Sequence, residues 1–166
     1  MPIVIETERC FISEIFEGDF DALATLYADP EVRRFLGGTR KGSDFQAQFV
    51  SLVEPTSGLA LGVRLSETDM LVGLVTLMPH HDQTEVEISY QFSPRVWGAG
   101  IARKAVSATL TFAFKELDLP RIIAETQSVN VASCRLLERL GMTLERKLTR
   151  FGVEQSLYTI TRSTVG

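Results

Sequence analysis

The chain has 166 residues, 45% of them hydrophobic, and a net charge of −4. Such a length and apolar content suit one domain, 1–166, with a sizeable core, and no apolar run is long enough to cross a bilayer. Residues 1–90 carry 15 acidic and 6 basic side chains, residues 91–166 carry 6 and 11, and a chain acidic overall is not built like a nucleic-acid binder.

The opening "MPIVIETERC" reaches Glu6 without a basic stretch and has no small-residue cleavage site, so it does not read as a signal peptide. Cys10 and Cys134 stand far apart and read as thiols rather than a bridge. The expected setting is the cytoplasm, as a monomer or homodimer with no membrane partner. The uneven charge suits a protein whose second half holds a phosphorylated cofactor while its first half faces something cationic.

In chain order, residues 6–15 alternate as a strand. Residues 17–29 place Phe20, Leu23, Leu26 and Tyr27 at helical spacing, with Asp19 as cap. Pro30 opens a short second helix over 30–36. The basic turn "GGTRKG" (37–42) precedes a helix over 43–53 capped by Ser43. The longer segment "RRFLGGTRKG" (33–42) reads as a solvated turn, with basic residues that could alternatively meet an adenosine phosphate or an acidic substrate tail. Strands are expected over 59–67, 70–79 and 84–93, and their short connections make them antiparallel neighbours. A helix of about five turns over 99–117 carries Ile101, Ala105, Ala108, Leu110 and Phe112 on its apolar side. A strand over 121–128, a helix over 130–141 between Asn130 and Gly141, and a hairpin of 142–151 and 154–163 complete the chain. The pattern describes an α/β fold: a mixed sheet of about seven strands with about four helices on both faces.

The segment "PRVWGAGIARKA" (94–105) puts two glycines just ahead of a helix with no acidic residue in its first turn. The first amides of a helix have no internal partner and point outward, and glycine lets an anion approach them closely. No G-x-x-x-x-G-K-[ST] is present. The third glycine of a dinucleotide fingerprint is replaced by Arg103, and the loop follows antiparallel strands rather than opening a βαβ unit. A nucleotide-dependent oxidoreductase is therefore the weakest of the alternatives. His80, His81 and Asp82 are adjacent in one turn, where three side chains rarely converge on an ion, so no metal site is expected.

The remaining pattern, [QR]-x-x-G-x-[GA] at Arg95-Val96-Trp97-Gly98-Ala99-Gly100, resembles the acetyl-CoA diphosphate loop of the GNAT acyltransferase superfamily. "EISYQFSPRVWGAGIARKAV" looks like the strand, loop and helix of that family, and "LPRIIAETQSVNVASCRLLERLGM" like the strand and helix that follow. The opening "IETERCFISEIFEGDFDALATLYADPEVRRFL" is similar to the RimJ/RimL-like branch, which acetylates protein N-termini or small amines. Residues 37–58 match least.

The resemblance implies an N-acetyltransferase that uses acetyl-CoA as co-substrate and an amine as acceptor, without metal or covalent enzyme intermediate. It implies that Arg95 and the main chain of Val96, Trp97, Gly98, Ala99, Gly100 and Ile101 hold the diphosphate. Gln91, Phe92 and Ser93 would pair with the pantetheine where their strand splays from 121–128. Glu87 occupies the acid position of a family-like E-I-x-Y strand and is the expected base, with Glu85 as the alternative. Many members carry a tyrosine seven residues after the asparagine of the last helix, and here Leu137 stands there. The pattern N-x-x-S survives as Asn130 and Ser133, which implies that Asn130 touches pantetheine and Ser133 donates to sulfur, with Tyr158 in reserve. Trp97 is expected to pack beneath the loop. The Leu137 departure also leaves open a GNAT-fold module that binds acyl-CoA without efficient turnover.

Overall fold

The structure, a computed structural model, describes residues 2–81 and 85–165. Strands β1 (Val4–Glu6) and β2 (Cys10–Glu14) come first, then helices α1 (Phe20–Ala28), α2 (Pro30–Arg33) and α3 (Gly42–Val53). Strands β3 (Leu59–Leu65), β4 (Leu71–Pro79) and β5 (Val86–Phe92) lead to α4 (Ile101–Glu116). Then follow β6 (Arg121–Gln127), α5 (Val131–Arg139), β7 (Thr143–Arg150), β8 (Val153–Thr161) and α6 (Arg162–Val165). The eight strands form one mixed sheet in the order β1-β2-β3-β4-β5-β6-β8-β7, in which β5 and β6 are the parallel pair.

The strand expected over 6–15 is β2 from Cys10 to Glu14, and an unexpected short strand, β1, precedes it and ends at Glu6. Thr7 exchanges hydrogen bonds with Cys10, its amide donating to Cys10 O at 2.8 Å and its Oγ1 accepting from Cys10 N at 3.1 Å, which closes a turn. Two expected caps also differ. Helix α3 begins a residue earlier than expected, at Gly42, and Ser43 does not cap it. Asp19 turns its carboxylate inward instead of onto the α1 amides. Asn130 does cap α5, its Oδ1 accepting from Ser133 N at 3.2 Å.

Both faces of the sheet are covered. On one, α4 lays Ile101, Ala105, Val106, Leu110, Ala113 and Phe114 against Ile12, Val63, Val75 and Ile88. Phe114, rather than the expected Phe112, is the buried aromatic of that helix. On the other, Leu23, Leu26 and Tyr27 of α1 and Phe45, Phe49 and Leu52 of α3 pack on Ala60 and Leu74. The alternation of Leu74 and Val75 between the two clusters is the period-two pattern of a strand buried on both sides.

The α1 side is fixed by one buried ion pair. Arg64 of β3 donates through Nη1 to Asp19 Oδ1 at 2.6 Å and through Nη2 to Asp19 Oδ2 at 2.9 Å. Its Nε reaches Ser13 Oγ at 2.8 Å and its Nη2 also reaches Glu14 O at 3.0 Å. Removing one partner strands a buried charge, which costs about 3–5 kcal/mol. Asp19→Ala is therefore expected to lower the urea midpoint by a loss in that range, and a change below about 1 kcal/mol would show the pair to be dispensable.

Candidate functional site

The parallel pair β5–β6 is joined at a single paired position, Glu87 opposite Ile123, and the strands part beyond it. Each is fully engaged on its other side. β5 pairs with β4 from Val86 to Phe92, and β6 pairs with β8 from Arg121 to Gln127. The result is a fork that opens toward the glycine loop and the start of α5.

Ser93 N donates to Val72 O of β4 at 2.8 Å. Alternation along an antiparallel strand then points the main-chain groups of Gln91 and Ser93 at β4, and those of Tyr90 and Phe92 into the fork. The expectation that Gln91, Phe92 and Ser93 all present main chain to a ligand is corrected accordingly. Tyr90 and Phe92 face the opening, and the Phe92 carbonyl already accepts from Trp97 Nε1 at 2.9 Å. Trp97 is 50% exposed, so it does not pack beneath the loop.

Four side chains, Glu87, Glu125, Arg150 and His80, close the root of the fork. Glu125 N donates to Glu87 Oε2 at 3.3 Å, so a side chain takes the place of a ladder partner. Burial pushes the Glu87 carboxyl above its usual range, against the lowering influence of His80. In Glu125, burial pushes the other way from Arg150 and His80, and their hydrogen bonds win: that carboxyl is lowered. Arg150 sets Nε 2.6 Å from Glu125 Oε2 and Nη2 2.8 Å from Oε1, while His80 Nε2 lies 2.8 Å from Oε1. Glu85 faces away from this group, paired with Arg121 at 2.7 Å.

His80, His81 and Glu125 each bring a ligand atom within 4.8 Å of the others. The guanidinium of Arg150 on both Glu125 oxygens makes this a poor place for a further cation. Asp82 lies outside the described residues.

Tyr90 and Ser133 meet across the fork, Oη to Oγ at 2.8 Å. Burial pushes the Tyr90 phenol up to about 12, with the Ser133 hydrogen bond pulling the other way, so it is protonated at neutral pH. Ser133 is presented by the first turn of α5, which the Asn130 cap fixes. Leu137 is buried in the core, and Tyr158 gives its hydroxyl proton to Glu138 Oε2 at 3.1 Å. The sequence reading met Tyr90 only as the last letter of E-I-x-Y and His80 only as a metal candidate, and brought neither to this site. Tyr90 shares an apolar alternation with Val86, Ile88 and Phe92, and His80 sits in a polar turn beside His81. The one available signal for Tyr90 was a phenol on a strand adjoining the glycine loop, in a chain lacking the tyrosine at 137.

Gly98 and Gly100 have φ of 76° and 79°, and a Cβ on Gly98 would meet open space. Trp97 N and Ala99 N are used internally, donating to Pro94 O at 3.1 Å and Val96 O at 3.4 Å. Among the described residues the amides of Gly98, Gly100, Ile101, Ala102 and Arg103 donate to no main-chain acceptor. This set, rather than an unbroken run from Trp97, is what an anion would meet, and it fits a diphosphate. Val96 is buried, and Arg95 directs Nη1 to Met70 Sδ at 2.7 Å. Arg9 donates to Ala99 O and Lys104 pairs with Glu8 at 2.7 Å, tying the β1–β2 turn to the loop.

On the α1–α3 side of the sheet, Ser89, Tyr90 and Gln91 line a cleft of about 780 Å³ with Tyr27, Arg33, Arg40 and His80. Glu87 is not among its lining residues.

Glu87→Gln keeps an acceptor for Glu125 N and removes a buried charge. A carboxyl raised by folding holds its proton more tightly in the native state, so its stability cost grows as pH rises from the unfolded value of about 4.5 through the folded one. The variant is expected to match the parent in Tm at pH 4 and exceed it at pH 8. An advantage that shrinks with pH would contradict the burial argument.

Residues 9–143 match the family model for an acetyltransferase (GNAT) domain. The chain is 29% identical over 156 residues to the uncharacterised N-acetyltransferase YoaA of Bacillus subtilis (strain 168), covering 89% of this chain and 87% of that one. An acetyltransferase (GNAT family) from Bacillus anthracis superposes with a TM-score of 0.86 at 26% identity, covering 97% and 99%. A ribosomal-protein-S5-alanine acetyltransferase from Vibrio fischeri superposes with a TM-score of 0.78 at 18% identity, covering 99% of both, a likeness of fold.

Proposed function

This chain belongs to the GNAT acetyltransferase family, and from that premise we propose that it passes an acetyl group from acetyl-CoA directly to a primary amine bound in the cleft. One observation carries this reading: β5 borders the cleft with Ser89 to Gln91, opens the fork with Tyr90 and Phe92, and runs straight into the glycine loop. A donor thioester and an acceptor amine would thus meet on one strand.

Acetyl-CoA supplies an activated acyl group and a thiolate leaving group. Bare amides from Gly98 to Arg103 hold its diphosphate, and the fork-facing amides of Tyr90 and Phe92 serve the pantetheine arm and the thioester carbonyl. Fixed donors aimed at a developing oxyanion are worth about 3–4 kcal/mol in acyl transfer. Glu87, raised above the usual carboxylate range by burial, is a stronger base than an exposed glutamate and takes the ammonium proton through water. Because Glu87 stands behind the cleft lining and His80 on it, the water or His80 is the first group the amine meets. As the C–S bond breaks, Ser133, 2.8 Å from the Tyr90 hydroxyl, donates a hydrogen bond to the departing thiolate, and the proton released by the attacking nitrogen reaches sulfur through solvent. The phenol, protonated at neutral pH, donates to Ser133 Oγ and so turns the serine proton toward sulfur, taking up part of the task that the tyrosine seven residues past the helix asparagine performs elsewhere in the family. An amine at a protein N-terminus, like the alanine in the name of the Vibrio fischeri enzyme, and a small-molecule amine both suit this chemistry.

The test is thiol release from acetyl-CoA across an amine library. Glu87→Gln is expected to lower kcat by roughly 10²-fold or more and to remove the acidic limb of the kcat/KM profile. Tyr90→Phe and Ser133→Ala should each cost kcat about tenfold or more, and the double variant little beyond either single, since paired groups act as a unit. Full activity in all three would sink the assignment of roles. Coenzyme binding with no thiol release from any amine would instead favour a binding module.

A further inference from the structure

We infer that the cleft selects an amine that also carries a carboxylate or similar anionic group, rather than a polyamine or a simple alkylamine. The inference deepens the acetyltransferase reading and rests on it for where the amine must go.

The cleft's charged lining is all of one kind. Arg33 and Arg40 contribute its guanidinium groups, beside the imidazoles of His80 and His81, and among the described residues no Asp or Glu lines it. The acidic surplus of residues 1–90 lies elsewhere: Glu8 on Lys104, Asp19 on Arg64, Asp29 on the α2 amides, Glu85 on Arg121. This lining speaks against the sequence-based expectation that the first half faces a cation, and favours the expectation for residues 33–42 of an acidic substrate tail.

Arg33 is the decisive group. It is only 6% exposed, yet among the described residues it has no carboxylate partner. Its Nε donates to Gly38 O at 2.9 Å and its Nη2 to Leu36 O at 2.7 Å, both neutral carbonyls. The Nη1 bond to Gln91 Oε1 is long, 3.4 Å, and the Tyr27 ring lies 4.7 Å from Cζ. Burial holds the Arg33 pKa below its ordinary value, with the Tyr27 hydroxyl pulling the other way. A buried cation met only by dipoles is costly, and an anion brought to it recovers that cost. Arg40, on the same cleft, is exposed and makes no ion pair among the described residues. A carboxylate between the two finds one desolvated and one mobile guanidinium, and the Ser51, Thr56, Ser57 and Gln48 side chains around it are neutral hydrogen-bonding groups. A second ammonium on the acceptor would have no carboxylate to meet on this lining.

The experiment compares three matched acceptors at each chain length: an ω-amino carboxylate, its ω-amino amide and the diamine. Thiol release should favour the carboxylate over the other two by about tenfold or more in kcat/KM at the best length, the worth of one charge-assisted contact. In Arg40→Ala the ratio of carboxylate to amide should fall toward unity, through KM rather than kcat. Arg40→Glu should turn the preference toward the diamine. Arg40 is exposed, so these variants stay informative even where Arg33→Ala fails to fold. As a readout independent of turnover, glutarate should raise the Tm of the parent more than glutaramide does, and Arg40→Ala should shrink the difference, leaving the share that belongs to Arg33. A preference for the diamine, or equal kcat/KM for all three, overturns the inference while leaving the acetyltransferase intact. No thiol release from any acceptor overturns the acetyltransferase reading, and equal Tm shifts from glutarate and glutaramide would then overturn the anion site as well.

Discussion

Everything distinctive about this molecule follows from two parallel strands that touch once and separate. A buried opening in a sheet leaves main-chain groups unpaired, and such groups must find partners or lose free energy. Here part of the debt is met locally. Glu87 accepts from the Glu125 amide, the Trp97 indole donates to Phe92 O, and Gln127 O takes the Asn130 amide at 2.9 Å. The opening stays stable because β5 and β6 are each held by a full antiparallel neighbour, β4 and β8. What is left facing the gap is a short row of amides and two hydroxyls, in a place water can leave.

The same geometry sorts two carboxylates into different tasks. Glu87 and Glu125 come from adjacent strands at the fork's root, and burial acts on both. Arg150 and His80 hold Glu125 ionised, whereas Glu87 has no such direct partner and its carboxyl rises. Environments that push neighbouring acids apart are how one fold separates a structural anion from a proton carrier. In the proposed reaction Glu125 orients the cluster, and Glu87 retains the basicity.

Local patterns carried most of the architecture. Alternation in β3, β4 and β5, the glycine pair ahead of α4 and the Asn130 cap are short-range features, and each appears where the sequence puts it. The β1–β2 break was hidden because Thr7 to Arg9 can extend a strand as readily as turn one. Asp19 misled for a related reason: a cap and a buried ion-pair partner look alike until Arg64, forty-five residues on, is brought to it. The site was legible in part. Ser133 and Glu87 stood in motifs, but Tyr90 pointed at Ser133 only once α5 had been laid across the fork. The charge of the cleft was legible only in the basic run over 33–42, since a sum over ninety residues says nothing about which of them face one cavity.

Arg33 also closes the turn that follows α2, gripping Leu36 O and Gly38 O while its side chain borders the cleft. Selectivity and loop shape are therefore vested in one side chain, and drift at this position carries a double penalty. A lineage that diversifies its acceptors would be channelled toward the freer rim, Arg40, Gln48 and Thr56, with Arg33 as a fixed pivot around which tastes change.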